Sequence, residues 1–150
     1  GDGVFYESEM DPLTYIADVH EDGKYLFPGT GSREERGRGE AEGTKLNVPV
    51  APGSTDKEFV ASFNEVERFI DDIAKPDLII LQCGADCIES DPLTHLRYSP
   101  ESHKYASNSL HKLAHKYCDG RIIALGGGGY NLDNVGEAWT NVVLSFISGH

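Results

Sequence analysis

The chain has 150 residues, 39% hydrophobic and 25% charged, and its formal net charge is −12 at pH 7. That length suits one domain, able to bury roughly 70% of the surface its unfolded chain would expose. No apolar run reaches the ~18 residues of a membrane span, and no basic-then-apolar leader announces secretion. Acidic side chains outnumber basic ones 17 to 8 in residues 1–75 and 8 to 5 in 76–150. Such a surface repels phosphate backbones, so direct nucleic-acid binding is not expected.

The same charge suits cationic ligands or divalent metals, or is simply a solvated face. The opening Gly1-Asp2-Gly3 lacks an initiator Met, so the chain is expected to begin part-way through a longer one. Cys83, Cys87 and Cys118 are odd in number and form no Cys-x-x-Cys. They read as free thiols of a reducing, cytoplasmic compartment.

In chain order, Tyr15–Val19 is expected to be a short strand, followed by a glycine-rich, mixed-charge loop over 29–43. Lys45–Val50 is the next strand. Thr55 and Glu58 form a capping box opening a helix whose Phe59, Phe63, Val66, Ile70 and Ile73 share one face, and Pro76 ends it. Leu78–Leu81 is a continuous apolar run of the kind found in parallel strands covered on both faces. Ser99-Pro100 starts a second helix with Ala106, Leu110, Leu113 and Tyr117 inward, and Gly120 closes it. Arg121–Leu125 is a further buried strand. After four glycines, Trp139, Val142, Val143, Phe146 and Ile147 mark a third helix. Alternating strands and helices predict an α/β fold, a mostly parallel sheet flanked by helices on both faces.

Ligands of such sheets bind beyond the carboxyl ends of the strands. Three ends carry chemistry: Asp18-Val19-His20 leading to Phe27-Pro28-Gly29-Thr30-Gly31; Gln82-Cys83-Gly84-Ala85-Asp86 leading to Asp91-Pro92-Leu93; and Gly126 through Gly129 with Tyr130-Asn131-Leu132. Asp86 suits a cation or caps the following turn. The glycines cradle a phosphate, bring the Tyr130 phenol to a developing oxyanion, or form a plain turn. The pattern falls short of a dinucleotide fingerprint. His111 and His115, one helical turn apart, read as exposed polar-face residues, and His95 and His103 carry no signal. His20, at a strand end, is a better candidate.

Gly1-Asp2-Gly3-Val4, Phe27–Gly31, Asn47-Val48-Pro49, Gly84-Ala85-Asp86 with Asp91-Pro92-Leu93, and Leu125 through Leu132 occur in the order found in the zinc-dependent histone deacetylase family. The chain resembles the carboxyl-terminal half of that family, which includes acetoin-utilisation proteins and acetylpolyamine amidohydrolases. The resemblance implies an arginase/deacetylase-like fold present as a partial domain, residues 1–150 being the C-terminal part of one catalytic domain. It makes Asp86 a zinc ligand (ferrous iron being the alternative metal) and Tyr130 the oxyanion donor. Asp2 would orient a catalytic histidine, Phe27 and Leu93 would wall a channel for the acyl-amine stem, and Gly128 would lie in its floor. It places a structural monovalent cation, usually potassium, at Asp18 and the Val19 carbonyl, and a second in the region of Ser8, Asp11 and Thr14.

The family's Asp-x-His ligands and its His-His dyad are not among these residues. The implied function is a zinc amidohydrolase removing acetyl groups from acetyl-lysine or another acetylated amine, inactive as this piece alone. The alternatives are a non-catalytic module of the same fold that binds an acylated ligand or partner, and a nucleotide-binding domain. A sheet lacking its earlier strands would also expose an edge and favour self-association.

Overall fold

The computed structural model describes residues 2–148, leaving aside the side chain of Asp2. The elements are α1 (Asp2–Ser8), β1 (Ile16–Glu21), β2 (Lys45–Val50), α2 (Asp56–Phe69), β3 (Ile79–Gln82), α3 (Glu101–Cys118), β4 (Ile122–Leu125) and α4 (Leu132–Ile147). Glu58 Oε2 accepts both the backbone N–H (2.8 Å) and the hydroxyl (2.7 Å) of Thr55, the expected start of α2. Its last residues widen into a π-helical turn over Ile70–Ala74, ended by Lys75 at φ +43°. That widening rotates Ile73 off the buried stripe, and it is half exposed rather than inward as expected. Pro100 precedes α3, and Ser99 Oγ accepts the Glu101 N–H at 3.2 Å. Asp119 and Gly120, both at positive φ, close the helix.

Among the described residues all strand pairing is parallel, and it falls into two two-stranded sheets. β1 pairs with β2 from Ile16↔Lys45 to Glu21↔Val50, and β3 with β4 from Ile79↔Ile122 to Gln82↔Leu125. Helices flank both: α2 lies on β1 and β2, α3 packs on β3, β4 and α2, and α4 packs on α3. One core joins the two sheets. Val50, Phe59, Phe63, Val66, Leu96, Tyr98 and Leu110 form its centre, with Val19, Leu46, Leu81 and Ile122 against it. Phe59 stacks obliquely on both Phe63 and Tyr98.

The apolar run of β3 departs from expectation. Ile79 and Leu81 face the helices, whereas Leu78 and Ile80 are 46% and 61% exposed, and on β4 Ile123 and Leu125 are half exposed. Among the described residues, the alternate side chains of β3 and β4 are covered on one face only. On α4, Ala138, Val142 and Ser145 are buried while Val143 and Ile147 stay exposed.

Candidate functional site

Beyond the last strand residues, β3 and β4 stay side by side. The Cys83 N–H donates to the Leu125 carbonyl (2.8 Å) and the Ala85 N–H to the Gly128 carbonyl (2.7 Å). This continued pairing sets the Asp86 carboxylate on the backbone of Gly128. A Cβ added at Gly128 would stand 2.2 Å from Asp86 Oδ2, so any larger residue there would push the carboxylate aside. Asp86 is half-buried, and burial pushes its carboxyl above the usual carboxylate value. From α3, His103 Nε2 donates to the Gly84 carbonyl at 2.9 Å, fixing the turn just before Asp86. His103 is buried, and burial holds its imidazole below the ordinary value. Nothing in its sequence surroundings marked it, because the contact joins residues 19 positions apart.

Residues 91–95 tie the strand ends together. Asp91, itself buried, accepts the Leu93 N–H through Oδ1 (3.0 Å) and the Tyr130 N–H through Oδ2 (2.7 Å), with the Asn131 N–H on the same oxygen at 3.3 Å. Thr94 Oγ1 donates to the Asp86 carbonyl at 2.7 Å. His95 gives both its N–H and Nδ1 to the Glu21 carboxylate, each at 2.7 Å, at the end of β1. The arrangement leaves little for an anion at the glycines. Asp91 takes the free N–H groups of residues 130 and 131, and the Asn131 side chain caps those of Asp133 and Asn134. The Tyr130 side chain is 60% exposed, as are Phe27 (92%) and Leu93 (49%). Gly128 abuts Asp86.

At the end of β1, His20 Nε2 lies 2.9 Å from the Gly31 carbonyl and Nδ1 3.5 Å from Asp18 Oδ2. Gly31 sits at φ +83° with its α-carbon against the imidazole, an approach closed to any side chain. Burial pushes the Asp18 carboxyl up, but opposing interactions, led by the His20 imidazole beside it, leave it lowered. Asp18 and the Val19 carbonyl are the first of the two regions expected to hold a monovalent cation. The second region differs. The Ser8 hydroxyl donates into α1, to the Val4 carbonyl, and the Asp11 and Thr14 carbonyls both accept from Lys45 Nζ.

Asp86 fits one ligand position of a metal and does not make a site alone, since catalytic zinc takes about three protein ligands. Among the described residues no group of three or more His, Cys, Asp or Glu could hold a metal ion. Asp2, expected to orient a histidine, has its side chain outside the described part. The cysteines are free thiols, and burial raises Cys83 to about 11 and Cys87 to about 12, far from nucleophilic. His111 corrects its expectation: it is buried under α4, with Nδ1 3.2 Å from the Ser145 carbonyl and Nε2 3.0 Å from His115 Nε2. No helix among the described residues is long and apolar enough to cross a membrane.

Residues 1–146 match the histone deacetylase domain family. The acetoin utilization protein AcuC of Bacillus subtilis is 38% identical over 145 residues, 96% of this chain and 38% of that protein. Among solved structures, an HDAC homolog from Aquifex aeolicus superposes with a TM-score of 0.88 at 27% identity, covering 99% of this chain and 39% of that one. An HDAC homolog complexed with SAHA gives 0.89 at 27% identity, with the same coverage. The chain thus spans 38% of the length of the curated relatives it matches. The matched structures have the arginase/deacetylase fold, and the parallel, helix-flanked strands described above are part of it.

Proposed function

The chain belongs to the histone deacetylase domain family, and we propose that it forms the C-terminal part of the catalytic domain of a metal-dependent deacetylase. The substrate would be acetyl-lysine or another acetylated amine, and the protein cytoplasmic. The observation that carries this reading is the abutment of the Asp86 carboxylate on Gly128, two residues before the exposed Tyr130 phenol. Zinc, or ferrous iron in its place, would polarise the amide carbonyl and lower the pKa of a bound water. Asp86 would be one of its ligands, the others lying outside these residues. Tyr130 would donate its phenolic hydrogen to the oxyanion as the carbonyl carbon becomes tetrahedral, a role worth about 3 kcal/mol. Phe27 and Leu93, bare at the strand ends, would pack the methylene stem of the amine. Asp2 would orient a histidine from elsewhere in the protein, and Asp18 with the Val19 carbonyl would hold a structural potassium ion.

The test compares deacetylation of an acetyl-lysine peptide by the full chain and its Tyr130→Phe variant, with residues 1–150 alone and zinc added as the third arm. The expected result is a fall in kcat of about 100- to 1000-fold for the variant and none of the activity in residues 1–150. Chelator-sensitive turnover by residues 1–150 would refute their dependence on the rest, and an unchanged kcat in the variant would refute the role of the phenol. One other reading is a module of the same fold that binds an acylated ligand or partner without turning it over. It predicts acetyl-peptide binding by a full chain that never releases acetate.

A further inference from the structure

Lys45 is the largest side chain fully buried among the described residues, 1% exposed at the first position of β2. Its Nζ donates to the carbonyl of Asp11 (3.1 Å), to the carbonyl of Thr14, and to Thr44 Oγ1 (2.8 Å). The carbonyls only accept. The Thr44 hydroxyl spends its own hydrogen on the Ala41 carbonyl at 2.7 Å, so it too can only accept from Lys45. Three acceptors call for three hydrogens, which the protonated ammonium has and the neutral amine lacks. The charge is therefore held in place by a set of neutral oxygens, the donor type that replaces the hydration shell of potassium elsewhere in proteins.

We propose that the Lys45 ammonium is a tethered substitute for the monovalent cation that family resemblance places near Ser8, Asp11 and Thr14, so that this part of the chain takes up no potassium. The geometry excludes both occupants together. A bare cation on the Asp11 and Thr14 carbonyls would stand within a few ångströms of the ammonium, inside the protein where like charges repel by several kcal/mol. The remaining atoms of the region are already committed. The Ser8 carbonyl accepts the Asp11 N–H and the Ser8 hydroxyl bonds within α1. The Asp11 carboxylate shapes the turn instead of joining the cage: Oδ1 accepts the Leu13 N–H (2.9 Å) and Oδ2 the Thr14 hydroxyl (2.6 Å). That turn aims both carbonyls at Nζ, and the carboxylate's charge supports the ammonium against the burial that lowers its pKa. The tether also does what a free ion would do, joining the segment before β1 to the start of β2 at the Ile16↔Lys45 pair.

The experiment is thermal unfolding of the full chain, wild type against Lys45→Ala and Lys45→Met, in potassium chloride and in tetramethylammonium chloride at equal ionic strength. The Ala variant opens the cage, and its Tm should fall by roughly 10 °C in tetramethylammonium and recover about half of that loss in potassium. The Met variant fills the cage with an uncharged chain and should lose Tm without recovery. The wild type's own potassium response, arising at any other site, is subtracted. A wild-type response as large as that of Lys45→Ala, or a loss in Lys45→Ala that potassium leaves untouched, would overturn the proposal. Should neither variant fold, anomalous scattering from wild-type crystals soaked in rubidium decides it. No peak is expected on the Asp11 and Thr14 carbonyls, and a peak there refutes the substitution.

Discussion

The two sheets reverse what their compositions suggest. β2 carries Lys45 and Asn47, yet four of its six residues are buried. β3 is apolar through Leu81, yet Ile80 and its neighbours on β4 face outward. The difference lies in what each strand is given to bond. Asn47 Nδ2 donates to the Glu35 carbonyl at 2.8 Å and Lys45 has its three oxygens, so the polar groups of β2 are satisfied where they are buried. The row Ile80, Ile123 and Leu125 needs a cover that the described residues do not supply. The β1–β2 half therefore carries the cross-links, and the β3–β4 half carries Asp86 and Tyr130, the residues of the proposed site, beyond its carboxyl end.

The sharpest way to break this contrast is at Gly128. Gly128→Ala would drive a Cβ into the Asp86 carboxylate, and displacing a reacting group by about 1 Å costs on the order of 100-fold in rate. The full chain should lose about that much turnover while its Tm moves little, because the yielding atoms end a side chain. Turnover within a few-fold of wild type would separate Asp86 from the chemistry. The β2 half should answer in the opposite currency. Asn47→Leu strands the Glu35 carbonyl and should cost about 2 kcal/mol in denaturant unfolding, with kcat retained once the protein is folded.

Glu35 offers a test by pH. Burial pushes its carboxyl up, but the N–H groups of Ser32 and Gly31 and the Tyr6 hydroxyl outweigh that and lower it overall. A lowered folded-state value contributes stability above the unfolded-state value of about 4.3, and loses it as pH falls through the folded one. Glu35→Gln should therefore cost about 1 kcal/mol at neutral pH, with the gap to wild type closing below about pH 4. A gap that is constant down the acid limb would assign the loss to packing. The smallest effect is expected at Ile80. Replacing it by Thr should leave Tm within about 0.5 kcal/mol equivalent and, in residues 1–150 alone, reduce self-association measured by sedimentation.

The starts of α2 and α3 were legible because capping is local: Thr55, Glu58, Ser99 and Pro100 lie within a turn of the atoms they serve. The three strand ends were legible for the same reason, as runs of glycine and acid following apolar residues. What escaped the sequence depends on distant partners. Lys45 is buried by carbonyls 31 and 34 positions away, and His111 by a carbonyl of α4. His103 meets Gly84 only once α3 is packed. The division into two sheets was equally hidden, since apolar runs report that a strand exists and not which strand lies beside it.

Residues 91–95 hold Tyr130, the backbone of Asp86 and the end of β1 at once. A segment anchored at three points tolerates lengthening poorly, because one inserted residue would pull Tyr130, Asp86 and the end of β1 out of register with one another. Under the proposed function, variation in what is bound is thereby channelled away from Leu93 and toward Phe27, which stands almost wholly in solvent.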